Sequence, residues 1–439
     1  MKLTAQICSS AGDRPSTSQS IAKAELGAVG LSDTAVVAAP RYKIRFPDAD
    51  SLRASQAVES PLLNVAVINH RRAFISVSPA EILGVDVVRE PDEQFEYLRH
   101  QYGAEIVIDT QYAPGASAEG FQLSVGPEVP DAPSLDDVLD LIRAREAWSL
   151  ARGAGSVLAI VDSGIAGGRP EFPQTKRLGQ WSPAGHDAWS DALGHGTMCA
   201  CIATATRAYG GEFDGVAPDA GLIACRTGFL DSELATIYDF LGDFAEDNGV
   251  AVVASNSWGY QSGSPPPGGR PDDFPAALEE ALGRGVIAVF SAGNYHEMAN
   301  GSPDACQPTS IWEHKCRDDV LTVANSRPDS TMWSTSSRGP GQLFGHPGMG
   351  LKPDVSAPTP PNGRVLWGAD VASLPDGWGT SGACPQVSGL IALALSCGET
   401  DRDVIFNAIR ASAVTLGLES SCQGTGRIDC RATLDKLSA

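Results

Sequence analysis

No stretch of the sequence approaches about 18 consecutive apolar residues, so none reads as a membrane-spanning helix. The amino terminus, Met1-Lys2-Leu3-Thr4-Ala5-Gln6-Ile7-Cys8, has one lysine but lacks the apolar core of about 7–15 residues that a secretory signal needs. The expected location is therefore the cytoplasm, with export by another route as the alternative. Cysteine is sparse, 10 in 439 residues, which excludes a disulfide scaffold. No CxxC pair or HExxH segment offers a zinc site. Most thiols are expected to be reduced, while Cys306/Cys316 and Cys422/Cys430 each enclose a short loop that a disulfide could close. Bases are few: 32 against 53 acids, a formal charge of −21. A field of that sign repels phosphate backbones and excludes nucleic acid as a natural partner. Internal repeats are absent too.

What remains is the composition of a folded enzyme, 42% apolar and 19% charged, with 47 glycines and 30 prolines signalling many tight turns. The length allows two to four domains. Residues 1–40 are small and polar and read as an irregular leader. From 41 to 112 the texture is that of a small α+β domain. Strands are expected at Tyr42–Phe46, Val65–Ile68, Ala73–Val77 and Glu105–Thr110, with a helix starting at Ser78-Pro79-Ala80-Glu81. Residues 113–133, rich in glycine and proline, read as a linker to a larger domain at 134–439. That domain opens on helical periodicity from Leu135 to Arg152. Apolar runs follow at Val157–Val161, Leu222–Cys225, Val250–Ala254, Val286–Phe290 and Val320–Ala324, separated by expected helices at 195–206, 232–247, 274–284 and 381–396. Short, fully apolar strands alternating with helices imply a parallel sheet covered on both faces.

Four clusters sit at the ends of these elements, where open α/β sheets place their sites. Asp162-Ser163-Gly164 ends the first apolar strand. Gly194-His195-Gly196-Thr197 opens a helix. Ser291-Ala292-Gly293-Asn294 follows another strand, and Gly379-Thr380-Ser381-Gly382-Ala383-Cys384-Pro385 starts the last long helix. Singly, each has a plain structural reading as a cap or turn. Together they give aspartate, histidine and serine in the chain order of one class of serine-hydrolase triad. An imidazole accepts the proton that keeps a serine hydroxyl a poor nucleophile, and a carboxylate holds that imidazole in the right tautomer.

With these motifs the chain resembles a subtilisin-like serine protease (a subtilase, peptidase S8). Asp214-Gly215-Val216-Ala217-Pro218, Ser255-Asn256-Ser257-Trp258-Gly259, Ser336-Ser337-Arg338-Gly339-Pro340 and Lys352-Pro353-Asp354-Val355-Ser356-Ala357-Pro358 agree, over about residues 140–400. The resemblance implies a three-layer α/β fold with a mostly parallel sheet between helices. It implies Asp162, His195 and Ser381 as the triad and Asn294 as the oxyanion-hole amide. It makes Ser257, Trp258 and Gly259 the segment that pairs with substrate backbone, and Ala292 and Gly293 one wall of the pocket for the residue before the cut. Peptide or protein is then the substrate, and catalysis requires no cofactor. No metal is assigned, because Arg207–Phe213, where many relatives hold calcium, lacks asparagine. The domain at 41–112 resembles, in position and texture, the propeptide of many subtilases. It is thus a partner of the catalytic domain, with its tail expected in the cleft until cut. The expected function is a serine endopeptidase made as a zymogen, with a limited processing role favoured over general degradation. A catalytically silent scaffold on the same fold is the alternative.

Overall fold

The computed structural model describes residues 41–55, 57, 63–79, 90–114, 123–260, 272–343 and 346–438. At its centre, seven parallel strands lie in the spatial order Arg177–Trp181, Gly221–Arg226, Val157–Asp162, Val252–Asn256, Val286–Ser291, Leu321–Ser326, Val355–Pro358. All six residues of Val157–Asp162 are buried, and strand alternation sends them to opposite faces. Leu158 and Ile160 join a core that includes residues of the helices His195–Thr204 and Gly379–Ser396. Val157, Ala159 and Val161 join a second core with residues of Asp231–Asn248 and Phe274–Gly283. This is the three-layer fold. From Val157–Asp162 the chain first moves out to one sheet edge, then crosses back to the other side. That strand is therefore the topological switch point, and the crevice beyond its carboxyl end is where such sheets form sites.

Two strands of this seven-stranded sheet escape the sequence reading, and both lie at its edges. The side chains of Arg177–Trp181 alternate between half-buried and exposed, so no apolar run announces it. Val355–Pro358 is short and ends in a proline that an interior strand would reject. The continuous helix expected from Leu135 to Arg152 is instead two, Leu135–Leu141 and Ala144–Ala147, broken where Arg143 adopts a left-handed φ of 57°. The break frees the Ile142 carbonyl to accept the Cys430 amide at 2.8 Å, and Arg143 reaches Asp429 at 2.9 Å. The carboxyl-terminal helix Cys430–Leu437 thus stands where a further turn would have run.

Neither of the short loops that a disulfide could close is closed: Cys306 pairs with Cys422, 116 residues away, and Cys316 and Cys430 are free and buried. The long-range pairing arises because the turn at 339, whose Gly339 amide donates to Ser421 O at 2.8 Å, brings the two distant loops together.

The amino-terminal part is a four-stranded antiparallel sheet in the order Leu63–Asn69, Phe74–Pro79, Tyr42–Arg45, Glu105–Ile108. It carries the helices Ala49–Ser55 and Glu90–Tyr102, with Ile44, Leu52, Ile75, Val77 and Leu98 in its core. Ser78 and Pro79 continue a strand rather than open a helix; Ala80 to Leu83 and the leader at 1–40 lie outside the described residues. This sheet packs with the larger part into one unit, Pro40–Ala439. The joint is both apolar and electrostatic: Ala66, Val67 and Phe74 join the second core with Leu234, Ile237, Tyr238 and Leu241. Lys43, 1% exposed, binds Asp231 at 2.5 Å and Asp273 at 2.6 Å, Arg41 binds Glu233 at 2.9 Å, and Arg72 binds Asp239 at 2.8 Å. Asp231 and Glu233 occupy the first turn of their helix, where acids complement the helix dipole. Docking covers them with bases of the small domain.

The stretch read as a linker is not a free tether where it is described. Gly126 bridges to Ser373, the Val129 amide donates to Ser373 Oγ at 2.9 Å, and Arg364 Nε donates to Glu128 at 3.0 Å. Residues 123–134 thus lie along the hairpin Gly363–Trp367/Asp370–Leu374. No helix among the described residues is long and apolar enough to cross a membrane.

Candidate active site

Asp162 ends the switch-point strand, and His195 starts a helix that meets it almost without clearance. A methyl group at Gly196 would lie 2.2 Å from Gly164 O and 3.0 Å from Asp162 Cβ, so only glycine permits this approach. Gly194 combines a φ of 88° with the Trp367 ring 2.5 Å from where its Cβ would be. The two glycines flanking the histidine are there for close packing. The result is a 2.8 Å bond between His195 Nδ1 and Asp162 Oδ1, which also accepts the Ser163 amide at 2.7 Å. Both side chains are buried, and Trp367 stands edge-on to the imidazole at 6.2 Å. Burial works against an imidazolium, but the Asp162 charge and hydrogen bond, with a smaller part from Asp191, outweigh it, so the His195 pKa is raised above 6.5.

Asp191 is a residue the sequence reading missed. It accepts the Gly194 and Thr197 amides, both at 2.8 Å, and the Ser163 hydroxyl at 2.9 Å, tying the histidine helix to the turn after Asp162. Its only sequence signal is an acid just ahead of a helix start.

Ser381 is the third residue of the helix Gly379–Ser396, with its amide at the positive end. Its carbonyl accepts the Ser257 hydroxyl at 2.9 Å and lies 3.6 Å from Cys199 Sγ, which is itself 4.0 Å from His195 Nδ1. Histidine and serine are thus brought to one place. Ser381 Oγ and His195 Nε2 are enclosed and have no hydrogen-bond partner among the described residues. Catalytic bonds of this kind commonly tighten only with substrate bound. Asn294 joins them through Thr380, whose amide and hydroxyl donate to Asn294 Oδ1 at 3.0 and 3.1 Å. This fixes which end of the amide is oxygen, and Nδ2 lies 3.1 Å from the Cβ position of Gly379. Thr380 is a second positioning residue; the sequence shows it only as part of the cluster that starts the helix.

The expected substrate segment is a strand, Trp258–Tyr260, and it is occupied. It pairs antiparallel with Tyr112–Pro114, in the register Trp258↔Pro114, Gly259↔Ala113, Tyr260↔Tyr112. On the other side the Tyr112 amide donates to Phe229 O at 2.7 Å and the Asp231 amide to Thr110 O at 2.8 Å. This stretch of chain therefore runs as a middle strand between Trp258–Tyr260 and residues 229–231. The Trp258 side chain is core, packed against Phe274 and Phe290 at 5.2 and 5.6 Å, so only its backbone serves the cleft. Ala292 is buried and Gly293 lies against the Tyr295 ring.

Two groups of residues invite a metal, and neither suits one. In the turn at 207–213 the one fully buried acid nearby is Glu171, and its carboxylate already receives Arg169 at 3.0 and 3.1 Å and the Glu212 amide at 2.7 Å. A guanidinium stands where a cation would have to be, so these residues do not fit calcium. Removing Arg169 by Arg169→Ala should cost about 3 kcal/mol, the low end for breaking such a pair because Arg169 is partly exposed. Asp162, His195 and Cys199 also lie within 4.8 Å of one another. There His195 Nδ1 and Asp162 Oδ1 already hold each other at 2.8 Å, so the two best donors of the group are turned to one another.

A parallel sheet with a buried aspartate–histidine pair at its switch point, and a serine at a helix start beside it, defines a serine hydrolase. More narrowly, the chain belongs to the subtilase family, whose model matches residues 153–418, and it is a subtilisin-like serine endopeptidase. It is 27% identical to thermitase of Thermoactinomyces vulgaris over 267 residues, 60% of this chain and 83% of that protein. The structure resembles MycP1 with its N-terminal propeptide removed, with a TM-score of 0.51 at 25% identity over 68% of this chain and 96% of that one. It shares its fold with fervidolysin of Fervidobacterium pennivorans, with a TM-score of 0.58 at 18% identity over 90% of this chain and 61% of that one.

Proposed function

We propose that this protein is an endopeptidase zymogen that works through an acyl-enzyme and performs a limited processing task. The observation that carries the reading is the 2.8 Å Asp162–His195 bond beside a cleft filled by the chain's own strand. In the proposed reaction His195 Nε2 takes the Ser381 proton as Oγ bonds to the scissile carbonyl carbon. The oxyanion accepts from Asn294 Nδ2 and the Ser381 amide. The intermediate collapses, the C–N bond breaks, and the leaving amine takes the proton from Nε2. Water, deprotonated by the same nitrogen, then bonds to the acyl carbon; the C–Oγ bond breaks, the acid leaves, and Nε2 returns the proton to Ser381 Oγ.

Two measurements test the chemistry. Only neutral His195 can accept a proton, and its pKa lies above 6.5, so kcat/KM should rise with pH along a limb whose midpoint is above 6.5. Asp162→Asn should move that midpoint down; a midpoint that stays put would remove His195 as the base. Asn294→Ala should lower kcat by about 10²–10³ with little change in KM, the loss that subtilisin shows when its oxyanion-hole asparagine is removed.

The zymogen reading draws on Tyr112–Pro114 in the cleft, and on MycP1 having a propeptide that was removed. Mass spectrometry of the purified chain tests it: a cut within 113–133 that Ser381→Ala prevents is the expected result. A full-length chain of full activity would rule it out. The Cys306–Cys422 disulfide favours an oxidising compartment over the cytoplasm as the place of action.

A further inference from the structure

Four lysines among the described residues are buried: Lys43, Lys176, Lys315 and Lys352. Three have matching partners. Lys43 binds two carboxylates, Lys352 binds Asp354 at 2.7 Å and Val320 O at 2.9 Å, and Lys176 donates to Thr204 Oγ1 at 2.9 Å and Pro218 O at 2.7 Å. Lys315, 3% exposed, has no ion pair and no hydrogen bond from its ammonium among the described residues. A buried cation without a counter-charge is costly, and burial alone lowers this amine from 10.5 to about 7.

The position of that amine points to what it awaits. A methyl group at Gly259 would stand 2.9 Å from Lys315 Nζ, 3.5 Å from its Cε and 3.3 Å from Tyr295 Oη. A methyl group at Gly293 would stand 2.7 Å from the Tyr295 ring. Lys315 and Tyr295 therefore lie behind Gly259 of the cleft strand, with Tyr295 reaching across to Gly293, and Trp312 stacks on Tyr295 at 5.9 Å. The register of the cleft places one peptide residue opposite Gly259 and the next opposite Trp258. The residue after those two falls opposite Ser257, whose hydroxyl is bonded to the Ser381 carbonyl. It is the residue on the amino side of the cut.

We propose that Lys315 makes this enzyme prefer glutamate or aspartate immediately before the bond it cleaves. The substrate carboxylate supplies the counter-charge that the fold withholds. An amide of the same shape offers a hydrogen bond but no charge, and an apolar side chain leaves the ammonium unpaired. The proposal rests on the endopeptidase reading above. It concerns specificity, and Lys315 takes no part in bond making.

Four fluorogenic peptides that differ only in the residue before the cut, glutamate, glutamine, leucine or lysine, supply the test. The wild-type chain should hydrolyse the glutamate peptide with a kcat/KM about 10–100-fold above that of the glutamine peptide, the span expected of a desolvated charge-assisted contact. Lys315→Met should reduce that ratio to near unity while its glutamine and leucine rates stay within a few-fold of wild type. Lys315→Glu should favour the lysine peptide. No preference in the wild type, or one that survives Lys315→Met, would overturn the proposal. Calorimetry on the double variant Ser381→Ala/Tyr112→Ala, in which the strand paired along Trp258–Tyr260 in the uncut chain is loosened, with peptides ending in glutamate or glutamine, reads the pocket without catalysis. Tighter binding of the glutamate peptide upholds the pocket even if no peptide is hydrolysed, an outcome that would sink the endopeptidase reading alone. Equal binding sinks the pocket.

Discussion

Replacing Ser381 by alanine should leave a folded protein whose peptide hydrolysis falls by about 10⁶, the size of the loss when subtilisin is stripped of its nucleophilic serine. The fall is large because the other groups act on the serine. His195 has no proton to take once Oγ is gone, and the Asn294 amide has no tetrahedral oxyanion to hold. Stability should change little, since Ser381 Oγ makes no hydrogen bond among the described residues and its loss leaves a gap of one atom. A fluorophosphonate should label the parent and miss the variant, and circular dichroism should superimpose. Equal labelling would show that the reactive serine is another one.

Tyr112→Ala carries the second largest effect. Its ring is fully buried, packed edge-on against Trp258 at 5.5 Å and Phe274 at 5.8 Å. Truncating a buried aromatic costs about 3–5 kcal/mol. Tyr112 lies outside the family-matched residues 153–418, so that cost should fall mainly on the docking of the segment and not on the catalytic fold. If the strand in the cleft holds the enzyme closed, the uncut variant should hydrolyse a short peptide about 10² times faster than the uncut parent. Lys43→Met should act in the same direction, because it strips the counter-charge from buried Asp231. Hydrogen exchange at the Trp258–Tyr260 amides gives the control. Faster exchange with an unchanged rate of hydrolysis would mean that the docked strand does not inhibit.

The chemistry of the site was more legible than its surroundings. Asp162, His195, Asn294 and Ser381 each sit where a regular element begins or ends, and those ends are written locally, in apolar runs and neighbouring glycines. Gly196 illustrates what was not legible. It is visible beside the histidine, but that it must be glycine because Gly164 O lies 2.2 Å from its Cβ position depends on a contact 32 residues away in the chain. The roles of Asp191, Thr380 and Lys315 are not legible for a similar reason. An acid, a hydroxyl and a base are ordinary residues in sequence, and only their fixed partners, or the lack of one, give them a role.

By itself, then, the sequence determined a parallel sheet between two helical layers and the polar groups at its carboxyl edge. A strand buried on both faces must be continuously apolar, and helix starts carry their own caps. Tertiary structure alone decided the edge strands, the Cys306–Cys422 pairing and the break at Arg143. It also decided that Tyr112–Pro114 pairs with Trp258–Tyr260 and that Lys315 stands uncompensated behind Gly259. These depend on which distant segments meet, and the free energy of such a meeting comes from desolvation and charge pairing across the fold, which leaves no local periodicity to read.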